Sequence, residues 1–126
     1  MKEQVVLGID IGGTNTVYGL ITKDGNVIYH ESIQTNGSLP IIDLINRLDS
    51  KVKESLSRFP EIEKIIGVGI GAPNGNHFTG MIQDPPNLSW GNVDVITLFS
   101  NTFNFRFYYW SLSLIHISEP TRLRHI

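Results

Sequence analysis

The stretch Val5-Val6-Leu7-Gly8-Ile9-Asp10-Ile11-Gly12-Gly13-Thr14-Asn15-Thr16-Val17-Tyr18-Gly19-Leu20-Ile21 decides how this chain is read. Val5 to Ile11 is apolar and rich in β-branched residues, the pattern of a buried strand, with one carboxylate, Asp10, near its end. Gly12-Gly13-Thr14-Asn15 reads as a turn and Thr16 to Ile21 as a second strand. Two glycines let the backbone bend sharply and approach an anion closely. Successive peptide N–H groups then form a concavity for phosphate oxygens, with the Thr14 hydroxyl and Asn15 amide as further donors. Asp10 is suited to hold Mg2+ directly or through water, because hard cations prefer carboxylate oxygens. The turn is not a Walker loop: the Lys-Ser/Thr pair is missing and a strand follows instead of a helix. The plainer alternative is an ordinary hairpin in which Asp10 accepts local N–H groups.

Beyond this stretch, Lys23-Asp24-Gly25-Asn26 is a second hairpin signal. Val27 to Gln34 is a third strand, with Val27, Tyr29, Glu31 and Ile33 on one face. Asn36-Gly37-Ser38 supplies a loop and a candidate N-cap, and Pro40 fits a first helical turn. Ile41, Ile45, Leu48, Val52, Leu56 and Phe59 form one apolar stripe at helical period, and Pro60 ends it. Asp43 with Arg47, and Glu54 with Arg58, are i,i+4 pairs on the wet side. Ile65 to Ala72 is a fourth strand and Pro73 to Trp90 a long loop. Asn92 is expected to cap a helix over Val93 to Phe103, and Phe105 to Tyr109 to be a fifth strand. The expected fold is α/β with a mixed sheet and the order β-β-β-α-β-α-β. Three antiparallel strands lead into crossovers that extend the sheet in parallel. That order is similar to the ribonuclease H-like lobe of actin-like ATPases and sugar kinases.

Composition excludes several classes. The 126 residues make about one domain. With 40% hydrophobic and 17% charged residues the chain is not of a disordered type. A net charge of -2 offers no basic field for nucleic acid. The absence of cysteine removes disulfides, a zinc-thiolate site and a cysteine nucleophile. There is no run of 18 apolar residues and no signal-peptide pattern. A cytoplasmic protein without membrane or nucleic-acid partners is expected.

Three motifs carry a family resemblance: D-I-G-G-T-N at Asp10 to Asn15, G-V-G-I-G-A-P at Gly67 to Pro73, and P-N-L-S-W at Pro86 to Trp90. In that order they resemble the ROK family of sugar kinases and repressors and, within it, the bacterial glucokinases. The resemblance runs from about Val5 to Phe105. It implies an ATP- and Mg2+-dependent kinase acting on a hexose such as glucose, with two lobes around a cleft and a homo-oligomeric parent protein. By residue, it assigns Asp10, Gly12, Gly13, Thr14 and Asn15 to the nucleotide phosphates, with Asp10 on the metal side. It assigns Gly71, Ala72, Pro73 and Asn87 to the sugar. Asn74 before Gly75 departs from the family's second glycine after the proline, which leaves the sugar open. His77 and Asp84 read as loop residues and Trp90 as a hydrophobic anchor.

The same resemblance implies groups that this sequence lacks. The family's catalytic base is an Asp in an Asn-Asp-Ala-Asn segment, and no Asn-Asp pair occurs after Asn104. The family's zinc site needs cysteine, of which there is none. Phe103 to Trp110 holds six of the twelve aromatic residues. Ser113 to Arg122 resembles translated sequencing-adapter read-through. The expectation is therefore a partial N-terminal lobe over residues 1–109, with no second lobe and no kinase activity, followed by a non-native tail over 110–126. The rival readings are the sugar-sensing lobe of a ROK-type repressor and a non-catalytic actin-like nucleotide-binding module. Only four residues precede Val5, too few for a repressor's DNA-binding helices.

Overall fold

In the computed structural model, residues 3–72, 75–76, 81–82, 85, 88–103 and 109–114 are described. Strands β1 (Glu3–Ile11), β2 (Asn15–Thr22) and β3 (Val27–Gln34) form an antiparallel meander. Helix α1 (Ile41–Ser57) crosses back to β4 (Ile62–Ala72), which lies parallel to β1. Short strands β5 (Gly75–Asn76), β6 (Met81–Ile82) and β7 (Val93–Asp94) form a separate small sheet, followed by α2 (Val95–Phe103). Strand β8 (Tyr109–Leu114) joins β4 in parallel and completes a main sheet of order β3-β2-β1-β4-β8. The expected mixed sheet is what forms.

Burial explains this arrangement. Strand β1 is the centre of the sheet, and Val5, Leu7, Ile9 and Ile11, which share one of its faces, are all fully buried. Strand β3 has only half-buried and exposed positions, in alternation from Tyr29 onward, as an edge strand should. Helix α1 buries Ile41, Leu44, Ile45, Leu48 and Val52 against the sheet. Burying each such side chain is worth about 1.5–3 kcal/mol. Ser55 joins the expected stripe, with Leu56 half-buried against the core and Phe59 beyond the helix end. Ser55 is fully buried because its Oγ lies 2.7 Å from the Tyr18 hydroxyl, which gives a polar atom a partner there. The expected pairs Asp43–Arg47 and Glu54–Arg58 form at 2.9 and 3.7 Å.

Three details differ from expectation. Pro40 stands at the N-cap of α1 and no side chain caps it. Helix α2 is capped by Asp94, whose Oδ1 accepts the Thr97 N–H at 3.3 Å, because β7 runs through Val93–Asp94 and delays the helix start past Asn92. The last strand lies at Tyr109–Leu114, while residues 104–108 fall outside the described part of the chain. Gly67 to Ala72 presents an open parallel edge, and Tyr-Trp-Ser-Leu-Ser-Leu alternates apolar and small polar residues at the period a strand needs.

Candidate functional site

The carboxyl ends of β1 and β4 lie side by side. Asp10 is the register partner of Gly71 across the parallel pair and of Val17 across the hairpin. The sheet therefore brings the expected phosphate-side carboxylate next to the expected sugar-side turn, at the end where open α/β sheets bind ligands. Asp10 is only 5% exposed, so its carboxylate sits in a low-dielectric place. Gly71 and Ala72 are buried at the last two positions of β4. Pro73 and Asn87 lie outside the described residues, as do His77 and Asp84.

The turn after β1 is built differently from the expectation. Neither Gly12 nor Gly13 has a positive φ. Gly12 is needed for space: a Cβ there would stand 2.6 Å from the Asn15 backbone oxygen. That contact exists because the Gly12 N–H donates to the same oxygen at 2.9 Å. The Gly12 N–H is thus engaged within the turn and is not offered to a ligand. Gly13 is half-buried, and Thr14 and Asn15 are exposed, where their side chains can meet a ligand.

Three residues that sequence reasoning missed hold this turn from behind. Thr35, just past β3 and 1% exposed, donates through Oγ1 to the Gly12 carbonyl at 2.8 Å. Its backbone N–H donates to the Thr14 carbonyl, also at 2.8 Å. With the Thr35 proton so committed, the fully buried Thr16 hydroxyl is the donor in the 2.8 Å contact between the two hydroxyls. Arg47 of α1 then donates to the Gln34 and Thr35 carbonyls at 2.6 and 2.9 Å while paired with Asp43. A partial signal was present: counting back from the Lys23–Gly25 turn sets Asn15 opposite Ile33, and the register shift between Leu20 and Ile21 moves it to Gln34, which brings Thr35 level with the first turn.

A second polar cluster is structural. The buried Tyr18 hydroxyl donates to Glu31 at 2.8 Å, and Tyr29 donates to the same oxygen at 3.0 Å. Burial pushes the Tyr18 phenol far above its ordinary value. The Tyr18 hydrogen bond, first among several contacts, holds Glu31 below its ordinary 4.5. These bonds tie β2 and β3 to α1 one register position from Asp10, since Tyr18 pairs with Ile9. Trp90 packs on the core and donates Nε1–H to the Leu39 carbonyl at 3.0 Å, which makes it an anchor. Among the described residues, no group of three His, Asp or Glu could hold a metal by itself. No helix among them is long and apolar enough to cross a membrane.

The family model described as the ROK family matches residues 6–110. A glucokinase of Halalkalibacterium halodurans is 27% identical over 95 residues, which cover 71% of this chain and 28% of that protein. A xylose repressor of Caldicellulosiruptor bescii is 29% identical over 105 residues, covering 82% of this chain and 26% of that protein. The chain thus spans under a third of the length of these relatives. Among solved structures, a ROK family glucokinase from Streptomyces griseus, in complex with glucose and AMPPNP, superposes with a TM-score of 0.68. Its identity is 18%, with 87% of this chain and 33% of that one covered, a likeness of fold.

Proposed function

This chain belongs to the ROK family, and on that premise we propose that it is the phosphate-binding part of an ATP-dependent hexose kinase of glucokinase type. The parent reaction is transfer of the ATP γ-phosphoryl group to the 6-hydroxyl of glucose or a close hexose. The observation that carries this reading is the register that sets buried Asp10 beside Gly71, next to a turn held from behind by Thr35. Phosphoryl transfer depends on positioning and on electrostatic stabilisation of the phosphates. Gly13, Thr14 and Asn15 supply peptide and side-chain donors for them. Gly71 and Ala72, with Pro73 and Asn87, form the sugar edge.

Mg2+ commonly takes one or two carboxylates and completes its shell with phosphate oxygens and water. A single buried carboxylate, Asp10, with no group of three possible ligands among the described residues, fits that habit. When bound, the ion supplies neutralisation of charge on the transferring phosphoryl group. Asp10's own role is to fix the ion's side of the nucleotide.

The chain by itself is proposed to be inactive. It has no Asn-Asp segment after Asn104 to take the hydroxyl proton, and a general base is worth about 10²–10⁴ in rate. Residues 110–126 are proposed to be a non-native tail, supported by the family match stopping at residue 110. A cytoplasmic location, a homo-oligomeric parent and freedom from nucleic acid and membrane belong to the same reading. A sugar-sensing repressor lobe is the second reading, and the xylose-repressor relative favours it.

Equilibrium titration of the chain with ATP, with and without Mg2+, tests the proposal. Saturable binding that weakens on chelation is expected, and Asp10→Asn should abolish the Mg2+ dependence. Binding in Asp10→Asn that still responds fully to Mg2+ removes Asp10 from the metal side. Absence of ATP binding with retained sugar binding would favour the sensor reading.

A further inference from the structure

We propose that Thr35 is the positioning residue of the phosphate turn: it sets which way the turn's peptide planes face. This rests on reading Gly12 to Asn15 as that turn. A trans peptide is planar, so its C=O and the following N–H point in opposite directions, and no peptide in the described chain is cis. The Thr35 hydroxyl holds the Gly12 carbonyl at 2.8 Å, which turns the Gly13 N–H away from Thr35. The Thr35 N–H holds the Thr14 carbonyl at 2.8 Å, which does the same for the Asn15 N–H. The Asn15–Gln34 register pair lies just inside this second bond and is of the non-hydrogen-bonded type, so the Asn15 N–H is not part of the β2–β3 ladder. One buried residue therefore aims two peptide donors. Thr16 fixes the Thr35 hydroxyl by donating to it, and Arg47 fixes its carbonyl from α1. Without the hydroxyl, the Gly12–Gly13 peptide keeps no partner on that side and is free to rotate. A turn able to present a carbonyl where a phosphate expects an N–H binds anions poorly.

Thr35→Val separates the two bonds. It deletes the hydroxyl and keeps the backbone N–H, so the Gly13 amide should be affected and the Asn15 amide should not. In the 126-residue chain, we expect Thr35→Val to weaken Mg-ATP binding about tenfold, the scale of one lost buried hydrogen bond. The backbone amide chemical shift should move at Gly13 and stay unchanged at Asn15. Thr35→Ser, which restores the hydroxyl, should bind within about twofold of the wild type. A general loss of stability would move both amides and would not be rescued by serine; that pattern overturns the proposal. Wild-type affinity with an unchanged Gly13 shift in Thr35→Val also overturns it. If Thr35→Val does not fold, Thr16→Val removes the donor to Thr35 and should give the same Gly13-selective change in weaker form; no change there overturns the proposal. If the wild-type chain binds no nucleotide, the phosphate reading fails, while the contrast between Gly13 and Asn15 still decides whether Thr35 aims the turn.

Discussion

The meander contains two hairpin turns, one after β1 and one after β2, and they are built on opposite principles. The Lys23–Gly25 turn is closed by its own residues: Thr22 N–H to the Asn26 carbonyl at 2.8 Å, Gly25 N–H to the Thr22 carbonyl at 2.9 Å, and Asn26 N–H to the Thr22 hydroxyl at 3.1 Å. The Gly12–Asn15 turn has one internal bond, and its other fixed carbonyls are held by Thr35, a residue 20 or more positions away. The glycines differ in the same way. Gly25 has φ 89° and empty space around a would-be Cβ, so it serves backbone conformation. Gly12 has no positive φ and no space, so it serves close approach. A turn that satisfies itself is a connector. A turn whose carbonyls are held by a third element has the N–H groups that follow them turned away from that element, and an anion site needs such unengaged N–H groups.

The largest effect should come from Gly12→Ala. The added Cβ meets a backbone oxygen, which cannot yield as a side-chain tip can, and crowding of this kind costs about 1–3 kcal/mol. Melting temperature should fall and Mg-ATP binding should drop by more than about tenfold. Retained affinity in a folded Gly12→Ala would erase the contrast between the two turns. Gly25→Ala should cost about 1 kcal/mol through its left-handed φ alone. Its nucleotide affinity should match the wild type; a loss of binding there would mean that both turns matter alike. The smallest effect concerns the strands between the turns. Glu31 has a depressed carboxyl, so its contribution is present above its ordinary 4.5 and is lost as pH falls through the lower folded value. As Glu31 is partly exposed, the change should stay below about 1 kcal/mol. Thermal melts from roughly pH 5 to pH 3 should show an extra destabilisation that Glu31→Gln lacks. Equal acid sensitivity in both proteins would remove Glu31 from this role.

Much of the fold was legible because it depends on local pattern. The meander, α1 and β4 each have a strong period or apolar run, and the pairs Asp43–Arg47 and Glu54–Arg58 follow from spacing alone. The small sheet of β5, β6 and β7 was not visible, since two-residue strands carry no period. Of the site, Asp10 and its neighbourhood to Gly71 followed from motif and strand order. Gly12 was named for the wrong physical reason, because flexibility and lack of space look identical in a sequence. Thr16 and Thr35 were missed because a buried hydroxyl pair has no composition signal; only the hairpin register brings them together. Ser55 shows the same blindness in α1, where a polar residue takes a stripe position because Tyr18 faces it.

The turn after β1, and not the one after β2, is expected to receive the nucleotide phosphates. Backbone amide NMR of the chain during titration with Mg-AMPPNP tests it directly. Saturable shifts are expected at Gly13, Thr14 and Asn15, with smaller ones at Gly71 and Ala72, and none at Asp24 or Gly25. Binding that leaves Gly13 to Asn15 unshifted, or that shifts the two turns equally, would contradict it.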